Sequence, residues 1–197
     1  MKRSGFCGIC QVLFVLMTLV FLTSAQASVL DQNNPPFNVG LNDSLEWQQQ
    51  VTVGLGGTLA GITLYVNSGS DTDLVRIGVG PAYFTGTYSF TTTVPIFAAG
   101  TFIDTSGAGI QLNPGEVFVI DVSGGPGCCN LSGSTLSYAG GDLYLNIGGT
   151  IYDYTQLYGY SMAFQTYMNP IPEPSSLLLL GTGVAGLSSL LRRRING

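Results

Sequence analysis

Apolar residues return at every second position through most of the middle of the chain. Trp47, Gln49, Val51 and Val53 share one face of a run whose other face is Gln48, Gln50 and Thr52, and Gly54 to Gly57 interrupts it. Ile62, Leu64 and Val66 alternate in the same way with Thr63 and Tyr65. Further short runs predict strands at Leu74 to Val79, Tyr83 to Thr93 with a break at Gly86, Thr101 to Asp104, Ile110 to Leu112, Leu143 to Ile147, Ile151 to Tyr154 and Ser161 to Met168. Val117 to Val122 is apolar almost throughout and follows the turn Asn113-Pro114-Gly115-Glu116, so it is expected in the middle of a sheet. Asp31 to Asp43, with its Asn33-Asn34-Pro35-Pro36, reads as an irregular lead-in. No window from Asp31 to Met168 carries a long 3.6-residue period. Many short strands separated by glycine turns predict an all-β fold, a single antiparallel jelly-roll-like β-sandwich over residues 28–169.

The two ends follow a different pattern. Lys2 and Arg3 precede an uncharged run with an apolar centre from Val12 to Leu22, and Ala25-Gln26-Ala27 supplies small residues at Ala25 and Ala27, as a signal peptidase requires. Residues 1–27 are therefore expected to be a signal peptide, cut after Ala27, and the C-x-x-C pair Cys7 and Cys10 falls inside it. At the far end, Pro172, Glu173 and Pro174 form an extended strip that displays one carboxylate. No residue from Ser175 to Leu191 is charged, and as a helix this run would be about 25 Å long, enough for a thin bilayer. Arg192, Arg193 and Arg194 then act as a stop-transfer cluster, which stays cytoplasmic and leaves everything before the span on the opposite side.

In this order and at this terminal position, residues 170–197 resemble the PEP-CTERM sorting signal of Gram-negative bacteria: Pro172-Glu173-Pro174, a transmembrane helix over 175–191, and an Arg-rich tail. The resemblance implies that the chain is the substrate of an exosortase, a membrane-embedded cysteine transpeptidase that cuts near the proline-framed glutamate. It also implies an inner-membrane-anchored precursor, a mature form at the cell surface or outside the cell, and a host that makes extracellular polysaccharide and biofilm. Three internal stretches look like a β-sandwich module of secreted bacterial surface proteins: the run from Gln48 to Val66, Asn113 to Val117, and Tyr138 to Asp142 leading to Met162 to Tyr167. That likeness bears on the fold and not on a ligand.

Charge narrows the function classes. In the piece from Ser28 to about Glu173 all eleven acidic residues stand against a single base, Arg76, so no basic patch exists to hold nucleic acid. Histidine is absent from the whole chain and lysine from the exported part, which eliminates Ser-His-Asp and Cys-His catalysis, lysine nucleophiles and imidazole metal ligands. The expectation is a protein that is not an enzyme, structural or adhesive in an extracellular matrix, with a carbohydrate-binding module as the alternative. A histidine-free glycosidase would need paired carboxylates, and nothing in the sequence unites Glu46 with Glu116.

Three further candidates remain. Asn67, Asp71 and Asp73 offer side-chain oxygens of the kind Ca2+ takes, in residue types that a plain turn also uses. Tyr152, Tyr154, Tyr158 and Tyr160 could stack on sugar rings, while strand propensity alone also favours tyrosine. Trp47 belongs to the core-facing set. Cys128 and Cys129 are neighbours, with alpha carbons about 3.8 Å apart where ordinary bridges want about 4.4 to 6.8 Å. A strained vicinal disulfide, free thiols and links to a second chain are all open to them.

Overall fold

A computed structural model describes residues 27–36, 38–81, 83–124, 131–171 and 182–183. The expected signal peptide through Gln26, Cys128 and Cys129, Pro172-Glu173-Pro174 and Arg192 to Arg194 lie outside the described residues, as does the 175–191 span apart from helical Thr182 and Gly183. Among the described residues no helix is long and apolar enough to cross a membrane.

The described chain is built almost wholly of short strands: β1 Val29–Asn34, β2 Asn38–Leu41, β3 Glu46–Thr52, β4 Gly57–Leu64, β5 Ser70–Val79, β6 Phe90–Phe97, β7 Thr101–Asp104, β8 Gln111–Leu112, β9 Val117–Ser123, β10 Leu131–Ser134, β11 Leu143–Ile147, β12 Thr150–Asp153, β13 Ser161–Met162 and β14 Phe164–Pro170. One five-residue helix, α1 (Tyr154–Tyr158), interrupts them. Every strand pairing is antiparallel.

Three sheets result. A six-stranded sheet runs β12-β11-β3-β9-β5-β6, and a five-stranded sheet runs β1-β14-β4-β7 with β8 also paired to β4. The third is small, β13-β10-β2. One apolar cluster joins them: Trp47, Val51, Val75, Ile77, Phe118 and Ile120 from the first, Leu59, Ile62, Leu64 and Phe164 from the second, Leu41, Leu131 and Met162 from the third. Two large antiparallel sheets facing across one core are consistent with a sandwich. Fully burying each of these side chains removes enough apolar surface from water to contribute about 1.5 to 3 kcal/mol.

The period-two reading places most strands well. β9 is interior to its sheet, flanked by β3 and β5, and its five central residues are buried on both faces. β7 and β11 occupy the predicted positions. The lead-in is a correction, since it contains β1 and β2, and β1 pairs with β14 near the other end of the domain. A second correction concerns Tyr83 to Thr93, of which only Phe90 onward is strand. The described part of the preceding segment is a flap over the six-stranded sheet, held as described below. The third is Tyr154, which begins α1 instead of ending a strand: the Asp153 carboxylate accepts the Gln156 N–H at 2.8 Å, and Gly159 (φ 72°) closes the turn.

Candidate functional site

Two acidic centres stand on opposite faces of β5. Alternation puts Val75, Ile77 and the acids Asp71 and Asp73 on the core-facing side, and Leu74, Arg76 and Gly78 on the other.

The outward centre is a row of cross-strand neighbours. Tyr144, Gln48, Asp121, Arg76 and Thr91 lie side by side on β11, β3, β9, β5 and β6. Arg76 donates through Nε and NH2 to Asp121 Oδ1, at 3.0 and 2.9 Å, and through NH2 to Glu46 Oε1 at 2.9 Å. Asp121 Oδ2 accepts from Tyr88 OH at 2.7 Å and from Gln48 Nε2 at 2.8 Å. The second Glu46 oxygen accepts from Asn146 Nδ2 at 2.6 Å, and that amide also donates to Tyr83 OH.

The segment carrying Tyr83, Phe84 and Tyr88 is thereby fastened over the sheet. Phe84 N–H donates to Gln48 Oε1 at 2.7 Å, Gln48 Nε2 returns a bond to Phe84 O, and the Tyr88 ring lies 4.3 Å from the guanidinium carbon of Arg76. Gly78 makes room for the flap, because a Cβ there would come within 2.4 Å of the Phe84 ring. We therefore expect Gly78→Val to lift the flap, costing about 1–3 kcal/mol by overpacking. Limited proteolysis should then cut between residues 80 and 89 at protease concentrations that spare the parent.

Electrostatics follow this enclosure. Burial lifts the Asp121 carboxyl to about 6, against the pull of Tyr88 and Arg76. Burial also raises Glu46, but hydrogen bonds from its neighbours and the Arg76 charge bring it below the ordinary glutamate value. Tyr83 is pushed up to about 12 by burial and then by Glu46, and Tyr88 is pushed higher still by burial and then by Asp121. Both carboxylates are bound to the same guanidinium, and Asp121 is wholly buried. Such a network clasps the flap and presents neither a free base nor a free nucleophile.

The inward centre is unlike it. Asp71, Asp73 and Asp43, the last from the turn between β2 and β3, are buried together; the Asp43 and Asp71 carboxyls share a hydrogen bond, while neither oxygen of Asp73 has a hydrogen-bond partner. Asp71 Oδ1 accepts the Thr72 N–H at 2.7 Å. Burial and then the Asp71 carboxyl raise Asp43 to about 6, and burial followed by the charges of Asp43 and Asp71 raises Asp73 to about 7. The loop expected around Asn67, Asp71 and Asp73 is thus corrected: Asp71 and Asp73 lie within β5, and Asn67 is exposed ahead of it. Nothing in the local pattern points to Asp43, which stands 28 positions before Asp71.

The tyrosines divide. Tyr154 sets its ring edge-on to Trp47 at 4.9 Å, and Tyr158 and Tyr160 lie 4.5 and 5.9 Å from it. Tyr152 joins none of these ring pairs and is 41% exposed, and Tyr158 is 59% exposed. Trp47 is core, as its alternation indicates, with Nε1 donating to Asn42 O at 2.8 Å. Glu46 and Glu116 sit beyond opposite ends of the β3–β9 pairing, which runs from Trp47 against Val122 to Thr52 against Val117. Six strand residues put them roughly 20 Å apart, too far to flank one glycosidic bond. Glu116 instead caps its own turn, accepting the Asn113 N–H at 2.8 Å.

Residues 170–194 match the family model of the PEP-CTERM protein-sorting motif. No curated protein and no solved structure matches the chain. The motif marks an exported protein sorted by an exosortase, which acts on a membrane-anchored precursor.

Proposed function

We propose that the chain delivers a jelly-roll-type β-sandwich to the cell surface or extracellular matrix, where it serves as a structural or adhesive component among exopolysaccharide and is not an enzyme. The observation that carries this reading is the sorting motif at residues 170–194, appended to a domain of antiparallel sheets. Support for a non-catalytic role comes from the lack of histidine and from the engagement of Glu46 and Asp121 with Arg76. Signal peptidase would act at Ala27 and exosortase near Pro172-Glu173-Pro174. In the native host, Glu173→Ala is expected to accumulate unprocessed precursor, read as intact mass in the membrane and outside fractions. Normal processing of that variant would count decisively against the reading.

Carbohydrate binding is a second reading, favoured by the exposed rings of Tyr152 and Tyr158 beside the edge strand β12. Binding of the exported protein on a glycan array, lost in Tyr158→Ala, would support it. A blank array would leave the structural role alone.

A further inference from the structure

We infer that the end of the domain from which both export signals leave is an apolar pole, built of Val29, Leu30, Leu55 and Ile171, that rests on the lipid surface of the membrane holding the precursor. The inference rests on the proposed export of an anchored chain, and it adds where the cargo domain stands while anchored.

Topology puts the two exits together. β1 begins at Val29 and β14 ends at Pro170, and their antiparallel register sets Val29 against Met168. Neighbouring strands lie about 5 Å apart, so the chain toward Ala27 and the chain toward Pro172 leave side by side. A loop closes around the same end. The Asp31 carboxylate accepts the N–H groups of Gly54 and Leu55, at 3.1 and 2.6 Å, which fixes Leu55 beside β1. Ile171 N–H donates to Gly56 O at 3.4 Å and joins the group.

The surface so assembled is apolar. Its four side chains are 39% to 66% exposed. The acids nearby are engaged by their own turns: Asp31 holds the two N–H groups, and Glu116, whose turn lies against Gly56 through Pro114, accepts the Asn113 N–H at 2.8 Å. On the flank of the sheet beside Leu30, its cross-strand neighbour Tyr167 meets the half-exposed Phe102 ring at 5.5 Å. Tyrosine settles at the level of lipid headgroups, and contiguous exposed apolar side chains mark an interaction surface.

Chain length names the occupant. Three residues, Pro172, Glu173 and Pro174, separate Ile171 from the uncharged run that starts at Ser175. Fully extended, the step from Ile171 to Ser175 spans at most about 14 Å. A headgroup layer is about 5–8 Å deep on each side of the hydrocarbon. With Ser175 at the hydrocarbon edge, the pole stands in or just above the headgroups. So short a tether makes the contact intramolecular, and four side chains then suffice where a free protein would need a stronger anchor. Cutting near Pro172-Glu173-Pro174 removes the tether, and the pole alone is too weak to keep the domain on the membrane.

The test is tryptophan quenching in the full chain, reconstituted into vesicles of phosphatidylethanolamine and phosphatidylglycerol that carry nitroxide-labelled phosphatidylcholine. Leu55→Trp reports the pole, with Leu30→Trp as a second reporter should the first fail to fold. Ile147→Trp reports the opposite end, because Ile147 lies beyond the Asn146–Glu46 pair at the start of β3, roughly 20 Å of strand from Leu55. Trp47 is buried and gives all variants the same background. The pole reporter is expected to lose about half its emission to a nitroxide on the shallow acyl chain, the depth at which an interfacial apolar face settles, and the Ile147→Trp reporter none. Adding Val29→Asp and Leu30→Asp to Leu55→Trp should abolish the quenching while the chain still floats with the vesicles. Quenching that survives those aspartates would show that the tether alone sets the distance, and would overturn the inference. A floating chain with an unquenched pole would overturn it and leave the anchored reading intact, whereas a chain that does not float would overturn both. A pole unquenched in lipid whose emission shifts only when exosortase is co-reconstituted would assign it to that enzyme and overturn the bilayer as its occupant.

Discussion

Arg76→Met is expected to cost about 3–5 kcal/mol of stability, the usual penalty for leaving buried ion-pair partners without their counter-charge. The guanidinium holds both Glu46 and Asp121, and Asp121 has no exposure through which water could replace it. Gln48 and Tyr88 would still donate to Asp121, but two neutral donors do not neutralise a carboxylate. Arg76→Lys should rescue little, since the Nε and NH2 contacts to one oxygen, the reach to Glu46 and the stack on Tyr88 need the planar fork. Adding Asp121→Asn to Arg76→Met should recover much of the loss, because the buried charge disappears with its partner. Urea unfolding with an unchanged m-value would report these as stability changes. A loss below about 1 kcal/mol for Arg76→Met would show that the network contributes like an exposed surface pair.

Gln49→Leu is the second large effect, with an expected loss of about 2–4 kcal/mol. Gln49 faces the core with Trp47 and Val51 and has no exposure. Its Oε1 accepts the Met162 N–H at 2.8 Å, and its Nε2 donates to Gln50 O at 2.9 Å with longer bonds to Gly141 O and Asp142 O. One side chain thus links β3 of the six-stranded sheet to β13 of the small one. Leucine fills similar space but leaves the Met162 N–H and the carbonyls without that partner, at about 1–3 kcal/mol for each buried group left unsatisfied. The same urea measurement checks it, and a neutral result would mean that backbone rearrangement satisfies those groups.

Both residues show where pattern reading reaches its limit. Alternation alone put Gln49 on the core-facing side of β3, and the structure agrees. What alternation could not supply was the partner, because Met162 lies 113 residues away and meets Gln49 only when two sheets close. The flap is similar. Tyr83 to Thr93 has the aromatic and threonine content of a strand, and propensity is a statement about fitting a pleated surface. Here Tyr83, Phe84 and Tyr88 fit such a surface from above, as a cover on Gln48, Gly78 and Asp121. The Asp153 cap and Gly159 of α1 were visible signals of a helix, outweighed by the β-type residues around them.

The sequence by itself determined the strand-rich class, the interior position of β9, the core side of Trp47 and the sorting motif at the C-terminal end. These depend on local periodicity or on contiguous residues, which a chain carries whatever its tertiary contacts. Only the tertiary structure decided that Arg76 holds Glu46 and Asp121 together, that Glu46 and Glu116 stand apart, and that Asp43 joins Asp71 and Asp73. Each of those depends on which strands become neighbours, and that is set by burying one shared core across residues far apart in the chain.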